Sequence, residues 1–141
     1  MGSVSLDQAL QIAQETIDKG RSAGYKPLTV AVLDAGGTVK VLLRSDGSSL
    51  LRPEIAVGKA WGALGMGLSS RAISNLAAER PQFAASLAAL AGGKVVPAAG
   101  GVLVRDREGE LIGAVGVTGD TSDNDEECAL YGIEAAGLSG E

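Results

Sequence analysis

The stretch Leu111-Ile112-Gly113-Ala114-Val115-Gly116-Val117-Thr118 carries no charge and shows no alternation of apolar and polar residues. A strand with one wet face alternates, so an apolar run without alternation asks for cover on both faces. A chain containing such a strand, read here over 110–118, has to place it inside a sheet and lay helices on either side. Gly113 and Gly116 within the run mark points where a neighbouring backbone or side chain comes close. Two glycine patterns that superficially suggest nucleotide loops, 65–67 and 113–119, lack the strand-turn-helix setting that a phosphate cradle requires.

The remaining punctuation supplies the partners of that strand. Ser5-Leu6-Asp7-Gln8 forms a capping box, and Leu6, Leu10, Ala13 and Ile17 follow at helical spacing, with Gly20 and Gly24 as the stop. Residues 28–34 and 38–44 are apolar and β-branched around the turn Asp34-Ala35-Gly36-Gly37, which reads as a hairpin. Pro53 at a first helical position opens a second helix. Gly58, Gly62, Gly65 and Gly67 each weaken it by about 1 kcal/mol relative to alanine, so it is expected to end near Ala63 or Leu64. Helices over 70–80 and 81–91 come next, then a third strand region with segments 94–97 and 100–106. The turn Arg107-Glu108-Gly109 leads into 110–118, and a last helix covers 124–136, its first turn rich in carboxylates that suit the positive end of a helix dipole. The expected fold is α/β in the α+β sense: one domain over 1–141, with a single antiparallel sheet of about five strands and flanking helices.

Composition narrows the chemistry. The chain has 141 residues, no histidine, one cysteine and a net charge of −5. Without histidine there is no Ser-His-Asp or Cys-His catalysis, no HExxH zinc site and no histidine ligand for haem. A lone Cys128 excludes an intrachain disulfide and a cysteine-clustered metal site, and no metal is expected. The acidic balance and the four aromatic residues argue against a nucleic-acid partner. No apolar run is long enough to span a bilayer and no signal pattern opens the chain, so a cytoplasmic protein without a membrane partner is expected.

Candidate functional residues follow from isolated charge. Lys59 is the one charged residue between Ile55 and Ser70; it suits an anion clamp or a base of lowered pKa, or a lysine whose stem covers apolar surface. Arg44, Asp46 and Arg52 flank the connection into the second helix, whose free amides favour anions. Arg44, Arg52 and Lys59 together suit a small organic acid, while Asp46-Gly47 is also ordinary turn chemistry. Asp120, Asp123, Asp125, Glu126 and Glu127 offer oxygen ligands or a general acid, or simply a helix cap. Trp61 and Met66 read as core or interface, and Cys128 as buried and inert.

The series Val30-Ala31-Val32-Leu33-Asp34-Ala35-Gly36-Gly37, Arg44-Ser45-Asp46-Gly47, Ile55-Ala56-Val57-Gly58-Lys59-Ala60, Gly100-Gly101-Val102, Gly113-Ala114-Val115-Gly116-Val117-Thr118-Gly119 and Asp125-Glu126-Glu127-Cys128-Ala129 resembles the GlcG/HbpS (DUF336) family. That family includes the C-terminal domain of PduO-type proteins, and the resemblance covers nearly the whole chain. It implies a profilin-like domain that self-associates, from dimers to octamers in some members. It also implies a pocket for a small organic acid or a tetrapyrrole-type ligand such as haem. Haem-binding members use a histidine that this chain lacks; Tyr25, Tyr131, Met66, Cys128 or a lysine would have to replace it. The family pattern places an acidic pair at Asp125 and Glu126. Two functions are therefore expected: an oligomeric small-molecule-binding domain, with Arg44, Asp46, Arg52 and Lys59 at the ligand, or a cofactor-independent enzyme acting on small unsaturated or hydroxy acids by proton transfer. In the second case Lys59 is base or anion clamp and Asp125 or Glu126 the acid.

Overall fold

The structure is a computed structural model and describes residues 2–141. In chain order it contains α1 (Leu6–Ser22), β1 (Thr29–Asp34), β2 (Val39–Arg44), α2 (Arg52–Met66), α3 (Ser70–Glu79), α4 (Pro81–Leu90), β3 (Gly101–Arg105), β4 (Leu111–Thr118), α5 (Ser122–Ala135) and β5 (Ser139–Gly140). The strands form one sheet in the order β2-β1-β4-β3-β5, antiparallel at every pairing. The unalternating segment is its middle strand, buried at every position after Leu111.

Helices α1 and α5 pack on one face, where Ile12, Ala13, Ile17, Cys128 and Ile133 meet Val30, Val32, Val115 and Val117. Helix α2 lies on the other, where Ala60 and Ala63 meet Leu33, Leu103 and Ala114. The approach there is so close that a Cβ at Gly116 would collide with the carbonyl of Ala56, and one at Gly101 with that of Lys59. The expected glycine role in the central strand is therefore to admit a helix backbone.

Four local expectations are revised. The Ser5–Gln8 capping box forms, but α1 buries Ala9, Ile12, Ala13, Thr16, Ile17 and Gly20 and leaves Leu6 and Leu10 52% and 44% exposed. Small residues with Ile12 and Ile17, not the leucines, mark its inner stripe. Helix α2 continues past Leu64 to Met66, where Gly67 takes the left-handed conformation (φ 67°) that closes it. Two of its internal glycines are contact points: a Cβ at Gly58 would strike Val96, and one at Gly62 would lie 3.0 Å from Val95. Packing thus outweighs their low helix propensity. Residues 94–97 form no strand and run instead as a strap across α2, Val96 N donating to Gly58 O at 3.4 Å. The fifth strand is the short C-terminal β5, which pairs with Val104 and Arg105.

Candidate functional site

Helices α2 and α5 sit on opposite faces of the sheet, and Lys59 joins them past its end. Its Nζ donates to the carbonyl of Val117 at 2.9 Å and to Asp125 Oδ2 at 3.3 Å. Asp125 Oδ1 in turn accepts from the amide of Asp120 at 2.9 Å. Gly100 makes room for the lysine: a Cβ there would stand 2.8 Å from Nζ and 3.1 Å from Cδ. The side chains of Lys59 and Asp125 are 3% and 2% exposed. Burial lowers the Lys59 pKa against the opposing pull of Asp125, and burial raises that of Asp125 against its amide bond and Lys59. Such a pair joins layers, and losing one partner would strand the other charge in the interior.

The neighbouring acids are also engaged. Arg71 on α3 donates through Nε to both oxygens of Glu126, at 2.9 and 3.0 Å, and through Nη2 to Asp123. Asp120 accepts from the amides of Lys26 and Thr121. Tyr25 donates to Glu127, and this bond leads the causes that push its pKa up to about 12. Burial raises the pKa of Cys128 to about 11, which leaves it a thiol. Among the described residues, no group of three or more His, Cys, Asp or Glu is arranged to hold a metal ion.

The other basic candidates lie around the start of α2. Arg52 is half-buried; its Nη1 donates to Thr118 Oγ1 at 2.8 Å and its Nε to Ser49 Oγ at 3.1 Å. Arg44 ends the edge strand β2 and is exposed. Asp46 is exposed in the turn after it, where it borders a small hollow of about 240 Å³ shared with Arg21, Tyr25 and Lys26. Arg52, Lys59 and Asp125 are therefore brought together at the end of β4, with Glu126 beside them on Arg71, whereas Asp46 stands apart.

A larger cleft opens on the outer side of α2. It measures about 650 Å³ and runs between Leu42, the helix residues Pro53, Glu54, Ile55, Val57, Gly58 and Trp61, and the strap residues Gly93, Lys94 and Val96. Lys94 Nζ stands 5.6 Å from the centre of the Trp61 ring. The walls are mostly apolar, with one cation and one carboxylate at the rim. Trp61, read from the sequence as core or interface, packs against the core cluster under α2 and also lines this cleft; Lys94, read as part of a strand segment, is the lining residue that the sequence did not single out.

The chain matches the family described as "Haem degrading protein HbpS-like" over residues 4–134. It belongs to the HbpS-like family. Among curated proteins it is 34% identical over 136 residues to the corrinoid adenosyltransferase PduO of Salmonella typhimurium, covering 94% of this chain and 39% of that protein. The PduO of Citrobacter freundii is 33% identical over 134 residues, also over 39% of its length. The chain thus spans well under half of the curated relatives it matches. Among solved structures, that of a PduOC:heme complex superposes with a TM-score of 0.87 at 28% identity, covering 97% of each chain. Klebsiella pneumoniae ORFY, a DUF336 protein, gives 0.88 at 25%, covering 97% of this chain and 92% of that one. HbpS of Streptomyces reticuli, as a double mutant, gives 0.82 at 25%, covering 95% and 87%. The profilin-like α/β fold with a five-stranded antiparallel sheet is that of the HbpS-like family.

Of the residue types named as substitutes for a histidine ligand, a lysine alone, Lys94, lines the cleft. The cleft walls contain no His, Cys, Met or Tyr, the residues that commonly bind haem iron. Of the candidate substitutes, Tyr25 is bonded to Glu127, Cys128 is fully buried, and Tyr131 lies under Lys19 on α5, 5.2 Å from its Nζ. Met66 stands at the far end of α2. Among the described residues no helix is long and apolar enough to cross a membrane.

Proposed function

We infer that this HbpS-like chain is a small-molecule-binding domain whose cleft beside α2 takes a flat, largely apolar molecule bearing carboxylates, of the tetrapyrrole type. The carrying observation is the cleft: about 650 Å³ of mostly apolar wall, one indole and one ammonium. That size and polarity suit an organic ligand of moderate size. The indole of Trp61 offers a face for a ring, and Lys94 a charge for a carboxylate. The haem complex of a relative supports the ligand class. Binding here runs through ring and carboxylate, without histidine ligation of iron.

The test is a paired titration with haemin and with metal-free protoporphyrin, followed by each ligand's own absorption band. Binding of both within about threefold, lost in Trp61→Ala, supports the reading, since affinity then comes from ring contact. Haemin bound far more tightly than the free ring would show iron ligation, and binding of neither would dismiss the cleft.

Self-association belongs to the same proposal. Helix α4 is uncharged, buries none of its ten residues, and leaves Leu90 86% and Phe83 39% exposed. An apolar helix in that position suits the surface between copies. Sedimentation at micromolar concentration tests it, and a monomer would end it.

The proton-transfer reading places the base at Lys59 and the acid at Asp125 or Glu126. It requires a substrate at an ammonium that is 3% exposed and already bonded twice. The structural role of the pair is the simpler account. Turnover of small unsaturated or hydroxy acids that vanishes in a folded Lys59→Met protein would restore the enzymatic one.

A further inference from the structure

Three cations gather where β4 ends, and two of them are matched. Lys59 has Asp125, and Arg71 has Glu126 and Asp123. Among the described residues Arg52 has no carboxylate within salt-bridge distance, although it is half-buried. A guanidinium carries five N–H groups, and the protein occupies two nitrogens of this one, Nε on Ser49 and Nη1 on Thr118.

The sheet beneath it also holds unused polar atoms. Thr118, Thr29 and Arg44 are direct partners across three neighbouring strands, so their side chains share a face. It is the face that α2 covers, because Gly116, two residues before Thr118, lies under Ala56 and Ala60. Thr29 sits in the middle of that row at 0% exposure, and its Oγ1 has no hydrogen-bond partner. The buried hydroxyl of Ser48, in the loop entering α2, is also unpartnered. That loop is tied to the start of β1: Ser48 N donates to Ser45 O, and Ser45 N donates to Leu28 O. The cap residue Leu51 makes no side-chain cap bond, and Glu54 is the one acidic residue in the first turn of α2.

We propose that Arg52, Thr29 and Ser48 form an oxyanion site for the carboxylate of a small organic acid, with Arg44 as a second cation at its exposed side. One carboxylate accepts from the free N–H groups of Arg52 on one oxygen and from the two idle hydroxyls on the other, which satisfies every orphan at once. The site lies between α2 and the sheet, separate from the cleft on the outer side of the helix, and does not depend on what that cleft holds. Asp46, two residues beyond Arg44, borders the hollow on the α1 side, and Glu54 faces the cleft. The anion also answers a local imbalance, since Arg52 adds to the lowering of the Lys59 pKa.

The test is calorimetric titration with acetate, malonate and inorganic phosphate at constant ionic strength. Saturable binding of acetate or malonate at about millimolar Kd or tighter is expected, weakened about tenfold or more in Arg52→Gln. Thr29→Val guards against a folding artefact. It removes an unpaired hydroxyl at nearly constant shape, so the melting temperature without ligand is expected to hold or rise, while the shift produced by acetate is lost. Phosphate bound more tightly than either carboxylate would overturn the assignment. So would the absence of saturable binding, or equal binding by wild type, Arg52→Gln and Thr29→Val.

Discussion

The two faces of the sheet are built on different principles. Toward α1 and α5 the contact is made by valine and isoleucine side chains that fill the space between layers. Toward α2 it is made by alanine and glycine, so the helix backbone itself rests on the strands. The first face derives its stability from volume. The second places a helix close enough for Arg52 and Lys59 to reach the strand ends. Small residues are thus what bring the polar candidates to the sheet.

The strongest way to break this contrast is Gly116→Val. Its side chain would press into the backbone of α2, which has no room to yield. A loss of about 3 kcal/mol or more is expected in urea unfolding, or no folded protein at all.

Lys59→Met comes next, with about 3–5 kcal/mol lost because Asp125 is left buried and alone. Lys59→Met with Asp125→Leu is expected to recover much of that. The pair also has a signature in pH. Asp125 has its pKa raised above 3.8, so the folded state holds that proton more tightly, and stability falls as pH rises from below 3.8 through the raised value. Lys59 has its pKa lowered below 10.5, so the unfolded state holds its proton more tightly, and stability recovers as pH rises from the lowered value toward 10.5. Subtracting the double variant's stability profile from that of wild type is expected to show this dip between acid and base.

Ile133→Val on the opposite face removes one methyl from a filled layer and is expected to cost about 1 kcal/mol by the same denaturation measurement. The smallest effect sharpens the contrast within α2 itself. Gly65 has open space where Gly58 and Gly62 have the strap, so Gly65→Ala is expected to stabilise by about 0.5–1 kcal/mol, read as a raised melting temperature.

The same contrast explains what was legible in the sequence. The hairpin, the Ser5 cap and the two-sided central strand are written in local chemistry, and the structure keeps them. The inner stripe of α1 was displaced because Ala9, Thr16 and Gly20 are buried while Leu6 and Leu10 are not; α1 lies close against α5, where a Cβ at Gly132 would strike Thr16 and the carbonyl of Ile12. The length of α2 was underread because Gly58 and Gly62 are contacts with residues 94–96, which hold the helix against its low propensity. Segment 94–97 has strand composition and no strand to pair with, while the two-residue β5 is too short for any period to register. At the site, isolation in sequence singled out Lys59, and position beside the start of the second helix singled out Arg52. Their bonds to Asp125 and Thr118, 66 positions away in each case, arise only from the packing of layers. Thr29 gave no signal, since a threonine in a strand is unremarked until its hydroxyl is found without a partner.

The Lys59 bridge has a consequence for how the molecule comes apart. Helices α2 and α5 make no backbone approach to each other across the sheet, so in its absence either layer could open alone, as sub-global units often do. Lys59 is anchored on α2 and bonded to Asp125 on α5 and to the end of β4. Lifting either helix therefore exposes a charge that the other was neutralising. The amides of α2 and α5 are then expected to exchange with solvent as one cooperative unit in wild type, and as two with different opening free energies once the bridge is removed.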